Sequence, residues 1–138
     1  MTAYDPYNSS KFDTTNNYFL TDNHPNTYIC YEFKNHRIIP THYKIRSRPD
    51  GYHSPLNFRI EISIDGFHWE VIHDFHWKPI DGQNNALFQD GVQGICEFFI
   101  NESKHKECKF IRLPQTGKNS SKQDYLAFQS IEYKQNSI

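Results

Sequence analysis

Glycine is scarce in this chain, six among 138 residues, and no phosphate-cradling glycine pattern occurs, so a nucleotide-binding loop is not indicated. Cysteine is scarcer still. Cys30, Cys96 and Cys108 are an odd number without Cys-x-x-Cys spacing, and Cys30 reads as a small apolar filler within a strand. There is no charge excess: fifteen Lys and Arg against sixteen Asp and Glu leave a formal charge of −1. A nucleic-acid partner would show as a basic excess, so none is expected unless Arg46, Arg48, Arg59 and Arg112 converge. No apolar run approaches the ~20 residues of a membrane-spanning helix. Polar loops and the lack of a Lys/Arg-rich surface helix argue against membrane insertion. The first residues, Met1-Thr-Ala-Tyr-Asp-Pro, lack the basic flank and apolar centre of a secretory signal. A cytoplasmic location is therefore expected, and the sequons at Asn8, Asn101 and Asn119 read as chance.

Catalytic signatures are missing too. Ser9-Ser10 and Ser120-Ser121 lack the elbow glycines of a hydrolase nucleophile, and no local pattern supports a Cys/His pair. His73-Asp-Phe-His76 has ligand-pair spacing, but no second Cys/His pair stands at a finger-like interval, so structural zinc is not expected. The chain reads as a binder and not an enzyme.

What is abundant is aromatic side chain. Eleven Phe, nine Tyr and two Trp make 16% of the chain; they fill an interior with few residues and favour strands. The length fits one domain, 1–138. Apolar residues alternate at Ile29, Tyr31 and Phe33; after Pro40, Tyr43, Ile45 and Ser47 alternate with Lys44, Arg46 and Arg48. Phe58, Ile60, Ile62 and Ile64 face inward, with Arg59, Glu61 and Ser63 outward. Asp65-Gly66 then predicts a tight turn, with Phe67 to Ile72 as the second arm of a hairpin. On that reading Trp69 packs in the core, His68 lies on an outer strand face and His73 at the strand's end. Residues 75–94 read as a long irregular connection. Strands resume at Ile95–Ile100, Lys109–Leu113 and Tyr125–Tyr133, and no helical period lasts two turns. The pattern predicts an all-β sandwich of about eight antiparallel strands.

Five segments in order carry a resemblance. They are Tyr28-Ile-Cys-Tyr-Glu-Phe33, Ile39-Pro-Thr-His-Tyr-Lys-Ile-Arg-Ser47 and Phe58-x-Ile-Glu-x-Ser-x-Asp-Gly-x-x-Trp69. The last two are Phe110-Ile-Arg-Leu-x-Gln-Thr-Gly-Lys-Asn119 and Tyr125-Leu-Ala-Phe-x-Ser-Ile-Glu132. Together they resemble the discoidin family, also called the coagulation factor five/eight C-type domain, and most closely its modules in large intracellular proteins of protists. The resemblance implies a jelly-roll β-sandwich with a galactose-binding-like fold. Tyr28 stands where the family commonly has Trp, and the first family strand is not supplied in full. An open sheet edge that invites another chain is therefore expected.

The resemblance also implies that three loops gather at one end: the one before Tyr28, Arg48–His53 and Gln115–Asp124. Family members use this end for sugars, lipid headgroups or protein surfaces. Arg46 and Arg48 offer planar multi-donor forks, Tyr52 and His53 offer stacking surfaces, and Asp50, Lys118, Asn119 and Asp124 offer orienting hydrogen bonds. Trp77 is a secondary stacking candidate. Some sugar-binding relatives hold calcium near the chain ends, and Asp5, Ser10 and Glu132 occupy comparable places. The expected function is a noncatalytic intracellular module that binds another protein within a larger assembly; the alternative is a glycan-binding module using the same loop end.

Overall fold

Alternation of apolar and polar residues over five to seven positions makes each strand half greasy, and two such sheets hide their greasy faces against one another. The computed structural model of the chain describes residues 2–3, 12–13, 18–78, 88 and 91–135. In the first sheet, β1 (Thr2–Ala3), β11 (Ser130–Lys134), β5 (His42–Arg46) and β8 (Ile95–Phe99) lie side by side in that order. In the second, the order is β4 (Tyr28–Glu32), β9 (Phe110–Pro114), β6 (Asn57–Ser63) and β7 (Glu70–His76). A small third sheet holds β10 (Ala127–Phe128), β3 (Tyr18–Leu20) and β2 (Phe12–Asp13). Pairing among the described residues is antiparallel throughout. Apart from a 3₁₀ turn at Glu102–Lys104 the described residues contain no helix. The chain is an all-β jelly-roll sandwich, as its sequence predicts.

The interior is aromatic. Tyr43 is fully buried and its ring stacks on Phe98 at 5.0 Å, with Phe58 edge-on to Phe98 at 5.5 Å. Such ring pairs add about 0.5–1.5 kcal/mol beyond area burial. The Tyr43 hydroxyl crosses the sandwich to Nδ1 of His73 on β7, 2.6 Å away. At the far edge of the first sheet, β1 covers Glu132 and Ile131 of β11.

Several local expectations are corrected. Ile64 is 44% exposed, not inward, because β6 ends at Ser63. Asp65 is the reason. Its Oδ1 accepts from the backbone N–H groups of Phe67 and His68, each at 2.8 Å, which holds residues 64–68 in a bend. The second arm accordingly starts at Glu70 and runs to His76, not from Phe67 to Ile72. His68 therefore sits in the turn and not on a strand face, and His73 lies inside β7 and not at its end. Glu61 and Ser63 do have outward parity but are covered, at 8% and 4% exposure. The final strand is divided at Gln129, whose N–H turns to the Arg46 carbonyl at 2.8 Å, so β10 and β11 join different sheets.

Candidate functional site

The three expected loops do gather at one end, tied by hydrogen bonds. Asn119 is the hub: buried, its Oδ1 accepts from Ser121 N–H (2.9 Å) and Gln123 N–H (3.0 Å), and its Nδ2 donates to the Tyr125 carbonyl (2.9 Å). The Ser54 N–H donates to Ser120 Oγ at 3.0 Å and the His53 N–H to Ser121 Oγ at 3.1 Å. The Asp124 N–H donates to Asn23 Oδ1 at 2.8 Å, which adds the loop before Tyr28. Arg48 Nη2 meets Asp50 Oδ2 at 2.7 Å, and Lys118 Nζ meets Asp124 Oδ2 at 2.6 Å. The His53 ring lies 5.0 Å from Tyr125, while Tyr52 remains 47% exposed. Much of the polar capacity expected to face a ligand is engaged in shaping these loops.

Arg46, the last residue of β5, is not among the side chains that tie them. It has the parity of Lys44 on β5, on the outer face of the first sheet. Nor do the four arginines converge into a basic patch, since Arg59 pairs with Asp74 at 3.6 Å and Arg112 with Glu61 at 2.6 Å. Trp77 is half-buried just past β7. Of the calcium trio, Asp5 and Ser10 lie outside the described residues; Glu132 stands opposite Lys44 on β5, with Lys134 Nζ 3.9 Å away. Among the described residues no cluster of three or more His, Cys, Asp or Glu is arranged to hold a metal.

A concave surface the sequence did not flag opens on the outer face of the second sheet. A cavity of about 570 Å³ lies there, lined by Cys30, Phe110 and Arg112 of the sheet, by Gly66 and Trp69 of the β6–β7 turn, and by the 19–28 segment. Its volume falls within the roughly 300–1,000 Å³ of small-molecule clefts. Pairing fixes its floor: Arg112 is the direct cross-strand partner of Cys30 on one side and of Glu61 on the other. Arg112 Nε donates to Glu61 Oε1 at 2.6 Å. Its guanidinium carbon lies 3.8 Å from the centre of the Trp69 ring and 5.7 Å from that of Tyr28. Phe110 stands edge-on to Trp69 at 6.4 Å.

The wall is polar. Asp22, His24, Asn26 and Thr27 line it. That segment is pinned by Thr21 N–H to the Leu126 carbonyl (3.0 Å) and by Gln115 N–H to the Thr27 carbonyl (2.9 Å). Gly66, at φ +82°, permits the turn that lifts Trp69 over the sheet. Trp69 thus belongs to this cavity and not to the core; it is half-buried, and the bend held by Asp65 displaces it from the strand register. Tyr28, placed only as a family substitution, is 52% exposed at the rim. An outward Phe110 and Arg112 in an alternating strand, opposite an outward Glu61, was the available signal.

No family model matches the chain, and no curated protein matches it significantly. Solved structures do match. One is the third family 32 carbohydrate-binding module of a family 31 glycoside hydrolase from Clostridium perfringens, with a TM-score of 0.62 at 11% identity over 96% of this chain and 86% of that one. Another is the C-terminal domain of a chitobiase from Bacteroides fragilis, with a TM-score of 0.62 at 16% identity over 91% and 78%. A third is the family 32 module of Clostridium perfringens NanJ, solved in complex with galactose, with a TM-score of 0.56 at 10% identity over 96% and 91%. At these identities the shared feature is the fold, and the galactose-binding-like, discoidin-type sandwich implied by the sequence is the fold of this chain.

Proposed function

We propose that the protein is a noncatalytic glycan-binding module, with the cavity over the second sheet as its saccharide site. One observation carries this reading: the exposed ring of Tyr28 and the half-buried rings of Trp69 and Phe110 line one cavity with Arg112, whose guanidinium carbon lies 3.8 Å from the Trp69 ring centre and 5.7 Å from that of Tyr28. Sugar rings offer apolar C–H faces for stacking and hydroxyls for multi-donor groups, and this cavity has both partners. Arginine carries five N–H donors, and only Nε goes to Glu61. The fold shared with carbohydrate-binding modules, one of them solved with galactose, supports the same reading.

The sequence alone ranks protein–protein assembly first and glycan binding at the loop end second. The fold shared with carbohydrate-binding modules supports the glycan reading better, and the cavity over the second sheet gives that reading a site away from the loop end.

Calorimetric titration with galactose and β-galactosides tests the proposal, comparing the wild type with Tyr28→Ala/Trp69→Ala. Saturable binding that the double variant loses by at least tenfold is expected. Absence of saturation by any saccharide, or full affinity in the double variant, overturns it.

A further inference from the structure

We infer that Glu61 sets the charge preference of the cavity, so that it accepts uncharged saccharides and discriminates against uronic and other acidic ones. This rests on the glycan-binding reading above and specifies which sugars it admits.

An arginine at the floor of a sugar cleft is ordinarily an attractor for carboxylates, through its planar fork of donors. Here one arm of the fork is already taken by a carboxylate. Glu61, only 8% exposed, lies directly across the ladder from Arg112 and takes its Nε–H at 2.6 Å. The guanidinium lies against Trp69 at 3.8 Å, which fixes its plane. A second carboxylate, Asp22, lines the exposed wall. The one guanidinium of the cavity thus shares it with two carboxylates, Glu61 beneath and Asp22 in the wall. Lys109, whose Nζ lies 5.7 Å from the centre of the Phe110 ring, has its own carboxylate partner in Glu32 at 3.6 Å. An incoming carboxylate therefore meets a guanidinium already paired with one carboxylate and a second carboxylate in the wall, while hydroxyls still find donors. The 8% exposure of Glu61 matters, because charges shielded from water act on one another with less screening. Glu61 acts through Arg112 and is a positioning residue.

The test uses matched pairs that differ only in charge: methyl galactoside against methyl galacturonoside, and methyl glucoside against methyl glucuronoside. Each is titrated against the wild type, Glu61→Gln and Asp22→Asn, with thermal melts as a check on folding. Glu61→Gln retains an acceptor oxygen and the side-chain shape. The wild type is expected to bind the preferred neutral sugar at least tenfold more tightly than its uronoside. Glu61→Gln should shrink that ratio about tenfold and Asp22→Asn severalfold. Equal or tighter uronoside binding by the wild type refutes the charge preference while leaving the glycan site standing. A Glu61→Gln variant that weakens both members of a pair equally reduces Glu61 to a scaffold role and refutes the inference. Should Glu61→Gln fail to fold, the Asp22→Asn ratio decides, and no change there is a refutation. Failure of the wild type to bind any of the four removes the glycan site and this inference together.

Discussion

The guanidinium of Arg112 and the indole of Trp69 lie 3.8 Å apart although 43 positions separate them in the chain. One comes from the centre of a strand, the other from the turn that follows the next strand over. Their contact depends on Glu61, which holds Arg112 Nε at 2.6 Å, and on the Asp65 bend, which releases Trp69 from strand register. Two structural decisions, one electrostatic and one conformational, therefore produce a single surface. Each can be perturbed separately.

The ion pair should matter to stability more through its loss than through its presence. Arg112→Met leaves the 8%-exposed Glu61 carboxylate without its cation. A drop of about 2 kcal/mol in unfolding free energy is expected. Adding Glu61→Leu should recover much of it, because the remaining buried charge is then gone. Urea denaturation midpoints of the two variants and the wild type provide the comparison; a double variant no better than the single one contradicts this account.

A second prediction concerns pH. Burial holds the His73 imidazole below its ordinary pKa of 6.5, with Asp74 opposing that shift. Tyr43, its 2.6 Å partner, is raised well above the usual phenol range by burial and by Tyr133. A histidine depressed in the folded state binds fewer protons there than in the unfolded chain. Its contribution is present above pH 6.5 and is lost as pH falls below that value toward the folded pKa. Unfolding free energy measured between pH 7.5 and 5 should decline across this window. His73→Gln should flatten that part of the decline; an unchanged slope counts against the assignment.

Gly51 tests the loop end. Its φ is +74°, and a Cβ there would stand 2.3 Å from the Val92 carbonyl oxygen. Both backbone strain and a clash with main chain follow from any larger residue. Gly51→Ala should cost at least about 2 kcal/mol, read as a lowered melting temperature. Stability within error of the wild type would show that the 48–53 loop is held less firmly than its hydrogen bonds imply.

The same loops should be bystanders in saccharide binding. Arg48→Ala/Tyr52→Ala removes the Arg48–Asp50 pair and the exposed Tyr52 ring. Affinity for galactosides should stay within about twofold, by calorimetry, whereas a tenfold loss would return the site to the loop end.

The sandwich was legible because alternation survives folding: Tyr43 and Ile45, or Ile111 and Leu113, face one way as their spacing dictates. The gathering of the three loops followed from the topology that the resemblance implies. The cavity was not legible, for two physical reasons. Period two runs on through Phe67 to Ile72 in the sequence, whereas a side-chain carboxylate that accepts two backbone N–H groups lengthens the turn and moves Trp69 out of the core. Outward parity also does not tell cover from exposure: Glu61 is covered by its cross-strand arginine. Outward aromatic and charged residues facing one another across a ladder are a surface feature, and Phe110, Arg112 and Glu61 form one.

The chain has two tryptophans, Trp69 in the cavity and Trp77 beyond β7, so their indole N–H resonances report on two places at once. In a two-dimensional nitrogen–proton spectrum titrated with a β-galactoside, the Trp69 indole should shift saturably while Trp77 and the amides of residues 48–53 stay in place. A stationary Trp69 indole, with saturable shifts at Trp77 or at 48–53 instead, would contradict the placement of the site.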